Sequence, residues 1–297
     1  MKTISVIGGA NMDIIARAKD TLKQGDSTRG VINESPGGVG RNIADNLARI
    51  GLDVHFMTVL GNDDHAHAIR QSLQDHGAIV HAQSSKHTPR YLAVENRDGE
   101  MIHAINDMAA LETFEIDHIK AHHDFLSNSA WIVLDCNVPT SVIEYVLNHY
   151  ENVIVEGVSM GKIQKIRPYL SNVHTLKCNQ QELSSLLEVP VNHADEMRRA
   201  INKALRSGIN TLVLTMGSQG ALLATPTKTQ THKPPEGDVQ GTTGAGDAFT
   251  AGFVYGMVHS QNPIKPAMAL AALTLKHAEA VNKSLTQSML EAAIRSL

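Results

Sequence analysis

Short apolar runs rich in β-forming residues recur along the chain, and amphipathic stretches of helical period fill the intervals between them. The runs fall at residues 4–8, 54–58, 131–134, 153–155, 175–176 and 211–215, each closed by a polar or glycine-containing turn. Residues 42–50, 66–76, 142–148, 182–187 and 196–207 gather apolar side chains on one helical face. This alternation predicts an α/β fold with a mainly parallel central sheet and helices on both faces.

Two stretches break that rhythm. Residues 12–35 and 88–107 read as short alternating strands with no helix between them, and Asp98-Gly99 carries the signal of a type I′ turn. They predict a small β-layer over the open end of the sheet, either a lid or an edge hairpin. No repeat, low-complexity tract or linker divides the chain, so residues 1–297 read as one domain carrying this appendage.

Charge and composition narrow the partners. With 26 Lys and Arg against 30 Asp and Glu, the formal net charge is −4, which leaves no basic surplus for nucleic acid or an anionic membrane. A small-molecule partner is expected. No stretch approaches the roughly 18 consecutive apolar residues of a membrane span, and the first residues enter a strand at once. The location therefore reads as cytoplasmic, without leader or anchor. Cys136 and Cys178 lack the spacing of a disulfide framework and read as reduced thiols. The 16 histidines have no accompanying cysteine or acidic cluster and read as solvated surface side chains rather than zinc ligands.

Chemistry concentrates in two glycine runs that each open a helix. Gly241-Thr242-Thr243-Gly244-Ala245-Gly246-Asp247 leads into a helical pattern at residues 248–258. Small residues before a helix leave backbone N–H groups aimed at one spot, where the helix dipole also favours an anion. Gly244, Ala245 and Gly246 are a candidate phosphate or oxyanion cradle, with Asp247 placed to take a proton from an attacking hydroxyl. The same residues would also serve a plain turn and helix cap. The second run, Pro36-Gly37-Gly38-Val39-Gly40-Arg41-Asn42, lacks the lysine of a P-loop and the preceding strand of a dinucleotide site. It offers Gly37, Gly38 and Asn42 to a sugar, or simply turns the chain.

Weaker signals accompany these. Asn11 and Asp13 follow the first strand, project to one side and suit vicinal hydroxyls, or close the strand as an Asx turn. Asn179 and Glu182 lie three apart on one helical face, as hydrated magnesium would need. Thr215, Gly217 and Gly220 form a strand-end turn able to wrap nucleotide phosphates. Ordinary capping and turning would use the same residues.

In their order and spacing these motifs resemble the ribokinase-like (PfkB) sugar kinase family over essentially the whole chain. The resemblance implies a ribokinase-like fold with a β-sheet lid, ATP and Mg²⁺ as cofactors, a nucleoside or sugar substrate, and a homodimer paired through the lid. It puts Asn11, Asp13, Gly37, Gly38 and Asn42 on the sugar and makes Asp247 the base. Lys177, Asn179, Thr215, Gly217 and Gly220 fall to the nucleotide, Glu182 to the metal, and Asn282 to the adenine.

Within the family the chain is most similar to pseudouridine kinases. The likeness rests on residues 35–44, on Ala104-Ile105-Asn106-Asp107-Met108, on Asp135-Cys136-Asn137, on Val158-Ser159 with Lys162, and on Thr175-Leu176-Lys177. It implies phosphorylation of the nucleoside 5′-hydroxyl, with Asn106, Asp107, Asn137 and Lys162 serving the base. Ribose, another nucleoside, a hexose phosphate clamped by Arg17, Arg29 or Arg90, and a non-catalytic binding relative are the alternatives. Two departures stand out: Gly241 replaces a usual Asp that helps hold a monovalent cation, leaving that requirement open, and Glu156-Gly157 replaces a usual Asp-Pro pair.

Overall fold

The computed structural model describes residues 2–235, 237, 239–259 and 262–297. Its strands are β1 (Thr3–Ile7), β2 (Asn11–Ala18), β3 (Gly30–Gly37), β4 (Asp53–Leu60), β5 (Ile79–Ser84), β6 (Arg90–Glu95) and β7 (Met101–Asp107). They continue with β8 (Trp131–Asp135), β9 (Val153–Glu156), β10 (Thr175–Asn179), β11 (Thr211–Thr215), β12 (Ala221–Ala224) and β13 (Thr229–His232). A nine-stranded sheet runs in the order β13-β12-β11-β10-β9-β8-β1-β4-β5. Neighbours from β11 through β5 are parallel, and β12 and β13 add an antiparallel edge.

Both faces of this sheet are covered, as parallel strands require. Side-chain alternation sends Ile4, Val6, Val54, Phe56 and Val133 to one core, shared with the helices Val39–Arg49, Asp64–Gln74, Ala245–His259 and Ile264–Leu275. Ile7, Met57, Ile132 and Leu134 enter the other, beneath the helices Thr140–His149, Gln180–Leu187 and Ala194–Arg206. Each such buried side chain contributes about 1.5–3 kcal/mol relative to exposure.

A separate four-stranded sheet has the order β3-β2-β6-β7. It consists of two antiparallel hairpins joined by a parallel seam between β2 and β6. Asn11 and Asp13 lie on one face, while Met12 and Ile14 on the other face pack on the core. The turn between β6 and β7 is not type I′. That turn needs positive φ at both central residues, and only Gly99 has it (φ 84°), whereas Asp98 does not. Instead Asn96 Oδ1 accepts from the N–H groups of Asp98 and Glu100, each at 2.9 Å, and widens the loop.

Four histidines depart from the expected solvated surface. His55 Nδ1 lies 3.0 Å from His81 Nε2, the His55, His81 and His122 rings pack around Phe125, and the His118 ring packs on His122. Burial, reinforced by the neighbouring imidazoles, holds His81 down to about 4. Among the described residues no three His, Cys, Asp or Glu side chains are grouped to hold a metal, and no helix is long and apolar enough to cross a membrane. Both cysteines are free and buried, and burial pushes their thiols well up.

Candidate active site

The parallel strands β1, β8, β9, β10 and β11 all end on one edge of the sheet, the edge at which open α/β folds bind ligands. The two glycine runs meet there. Gly38, with φ 100°, caps the helix Val39–Arg49, and a Cβ on it would lie 2.6 Å from the Gly9 carbonyl oxygen. That contact admits only glycine and brings Asn42 forward. Gly244 (φ 75°) does the same for the helix Ala245–His259, where a Cβ would lie 1.9 Å from the Ala280 oxygen.

Asn42 and Asp247 thereby come into contact: Asn42 Nδ2 donates to Asp247 Oδ2 at 2.8 Å. Asp247 sits in the first turn of its helix, densely surrounded by protein but still half-buried rather than sealed. Burial pushes its carboxyl up to about 7; the Asn42 hydrogen bond and Lys177 oppose that rise, and Glu156 and Asp135 add to it. Beside it, the Lys177 ammonium lies 3.2 Å from where a Cβ on Gly246 would stand. Lys177 is buried, its Nζ paired with Glu156 Oε1 at 2.8 Å, and Glu156 Oε2 accepts from the Thr250 hydroxyl at 2.5 Å. Desolvation alone would lower Lys177, but Glu156 leads the charges that hold it above its ordinary value.

Among the residues expected to meet a sugar, Asn11 Nδ2 donates to Asp13 Oδ1 at 2.6 Å, and the Asp13 carboxyl covers Gly37. Burial raises Asp13. Asp135, fully buried at the end of β8, joins the two loops that carry these groups: its Oδ2 accepts from Gly9 N at 2.9 Å and Gly40 N at 2.8 Å. Its Oδ1 accepts from Asn137 N at 2.7 Å, and Asn137 Oδ1 in turn accepts from Lys162 Nζ. The expectations gave Asp135 no role, Glu156 only the place of a departure from a usual Asp-Pro pair near the magnesium waters, and Thr250 no role. A carboxylate closing an apolar strand at the ligand edge was the available signal for the first two.

Asn106 and Asp107 separate. They are adjacent in β7 and project to opposite faces: Asn106 pairs in register with Tyr91, which pairs with Asp13, and so shares the Asp13 face. Asp107 lies on the other face, 2.7 Å from Arg90, so the structure does not bring it together with Asp13 and Asn106.

A cavity of about 900 Å³ opens beyond the cradle, lined by Thr215, Gly217, Gly220, Ala245, Gly246 and Phe249 among others. Its size matches a small-molecule site. Asn282 is not among the lining residues; it is buried, and its Oδ1 accepts from Ser284 N and Oγ. Asn179 and Glu182 form a capping box at the start of the helix Gln180–Leu187, with Glu182 Oε1 and Oε2 each 2.9 Å from an Asn179 nitrogen. Burial raises Glu182. Each oxygen keeps a lone pair, which fits a magnesium ion held through its waters rather than in an all-protein cage. At Gly241 a Cβ would lie 2.8 Å from the His277 oxygen, so the Asp usual there would need residues 277–278 to shift.

Comparison with known proteins agrees with this geometry. Residues 1–287 match the family described as pfkB family carbohydrate kinase. A pseudouridine kinase of Escherichia coli is 31% identical over 255 residues, 84% of this chain and 82% of that protein. A carbohydrate kinase from Agrobacterium tumefaciens superposes with TM-score 0.87 at 25% identity, covering 99% of this chain and 97% of that one. Arabidopsis thaliana ribokinase complexed with ribose and ATP gives TM-score 0.88 at 22% identity over 99% of both chains, a likeness of fold. The chain belongs to the pfkB carbohydrate kinase family and has the ribokinase-like fold; it is an ATP-dependent sugar or nucleoside kinase.

Proposed function

We propose that the chain transfers the γ-phosphoryl group of ATP to the 5′-hydroxyl of pseudouridine. The observation that carries this reading is the polarity of the lid face around Asp13. In register across the sheet, Ser35, Asp13, Tyr91 and Asn106 present neutral polar groups and an aromatic ring beside one carboxyl. The arginines that a sugar phosphate would need are already committed, Arg17 to Glu95, Arg29 to Asp20 and Arg90 to Asp107. A C-linked uracil exposes both N–H donors and carbonyl acceptors, which Asn106, Asn137 and Lys162 suit. The similarity to the Escherichia coli pseudouridine kinase supports the same substrate.

In this reading Asn11, Asp13 and Asn42 hold the ribose, and Asp247 takes the proton of the attacking hydroxyl. The amides of Ala245 and Gly246, with the Lys177 ammonium beneath them, stabilise charge gathering on the transferred phosphoryl oxygens. ATP occupies the cavity beyond Thr215, Gly217 and Gly220. Glu182 and Asn179 would hold magnesium through its waters, and the ion would there supply neutralisation of phosphate charge. The β2, β3, β6 and β7 sheet acts as a lid on one kinase domain, and its exposed Ile32, Met101 and Ile105 suit docking of a second copy to give a homodimer.

A panel of pseudouridine, uridine, inosine, ribose and fructose 6-phosphate with ATP and Mg²⁺ tests the assignment. Pseudouridine is expected to give the highest kcat/KM. Faster turnover of uridine or ribose would overturn it.

A further inference from the structure

Arg41 has no part in the reading above, yet it is 5% exposed and packed against the residue that touches the base. Its Nη2 is fixed by Asp45 Oδ2 at 2.8 Å and Ser72 Oγ at 3.0 Å. Asp45, itself 1% exposed, also accepts from Arg49 Nε at 2.8 Å, so the anchor carries two guanidinium groups on one carboxylate. Arg41 Nη1 then donates to the Pro36 carbonyl and to Asn42 Oδ1, both at 3.2 Å.

That last contact decides which way Asn42 points. A guanidinium can only donate and a carboxylate can only accept, so the amide oxygen must face Arg41 and the amide nitrogen must face Asp247. Reversed, the amide would set its NH₂ against a cation and its oxygen against a carboxylate. Arg41 is also held at a cost: its Nε is buried without a partner, a deficit that a purely structural core residue would gain nothing by keeping.

We propose that Arg41 is a positioning residue for phosphoryl transfer: it locks the Asn42 amide nitrogen toward Asp247, so that the remaining N–H of Asn42 is presented to the acceptor sugar. The inference rests on Asp247 acting as the base. The other charged groups facing Asp247 are Glu156, Lys177 and Asp135, and none of them changes when Arg41 is replaced.

The test is a double-mutant cycle with ATP and pseudouridine, with ribose in parallel. Arg41→Lys, which keeps the charge but loses the forked geometry, is expected to lower kcat about 10- to 100-fold with the KM for ATP unchanged. The acid limb of kcat/KM should move to higher pH, because the Asn42 bond that lowers the Asp247 pKa is loosened. In an Asn42→Ala background, Arg41→Lys should change kcat by less than about 3-fold. Multiplying effects, or an unmoved acid limb, overturn the proposal. A substrate-free arm follows the Asn42 side-chain amide by ¹⁵N NMR: a protected, shifted N–H pair is expected in the wild type and its loss in Arg41→Lys. No change in that signal overturns the proposal whatever the acceptor proves to be. If Arg41→Lys fails to fold, Ser72→Ala removes one anchor and is expected to move both readouts the same way by a smaller amount; no movement counts against the proposal. Asp247→Asn is run alongside. Retained turnover in that variant overturns the base reading itself, an outcome the NMR arm keeps separate.

Discussion

The Asn42 amide nitrogen stands 2.8 Å from the Asp247 carboxylate, joining residues 205 positions apart. They come from the two glycine runs, so in the proposed reading the bond marks where the acceptor and donor halves of the cleft meet.

Replacing Asp247 by Asn keeps the shape and the Asn42 hydrogen bond while removing the proposed base. Turnover is expected to fall by about 10³ or more with substrate binding largely intact. Thermal stability should rise by a few degrees, since a charge held in dense surroundings is removed. Calorimetry and steady-state kinetics together check this pair of outcomes.

The pH profile follows from the Asp247 carboxyl near 7. The base must be ionised, so kcat/KM should climb with pH and level off above about 7, with roughly a tenfold deficit one unit below. Its effect on stability has the opposite sense. A carboxyl raised by folding binds its proton more tightly in the native state, so its contribution is full below the ordinary carboxylate value and is lost as pH rises toward 7. In Asp247→Asn that decline should disappear from a plot of melting temperature against pH.

Asn106→Ala and Asp107→Ala should separate cleanly. Loss of Asn106 is expected to raise the KM for pseudouridine about 10-fold and leave that for ribose within about 2-fold, because a nucleobase contact is worth roughly one hydrogen bond. Loss of Asp107 removes an exposed ion pair with Arg90 and should change neither by more than about 2-fold. Equal effects would show that the faces are not used differently.

Gly244→Ala tests the cradle without touching a charge. Both the positive φ and the 1.9 Å approach of Ala280 oppose any Cβ, so the expected result is a loss of about 2 kcal/mol or more in denaturant unfolding, with ATP turnover reduced.

Much of this was legible from the sequence because glycine runs and strand ends carry local signatures. The run at residues 211–215 became β11 with the same limits. Elements without a local signature were not readable. β5 and β13 are partly polar edge strands, and the helix Ile264–Leu275 is apolar nearly all round, so it shows no amphipathic period. At the site, the expectations singled out Asn42, Asp247 and the two glycine turns, which the fold brings together, and they named Asp107 beside Asn106 because only register reveals that the two take opposite faces. The Glu156–Lys177 pair and the four-histidine stack arise from contacts between distant segments, which spacing along the chain does not encode.

The small sheet has a mechanical consequence. β2 begins at Asn11, β3 ends at Gly37, β6 begins at Arg90 and β7 ends at Asp107, and these termini lie in adjacent rows at one end of the sheet. A plate tied to the body at four points along one margin would, as the proposed lid, move mainly by swinging about that margin. Asn11 and Asp13 lie at that margin and would barely travel, whereas the far tip, about 25 Å away along β2, would sweep widely. In the proposed reading, such a swing would alter the access of water while leaving the grip of Asn11 and Asp13 on the sugar nearly constant.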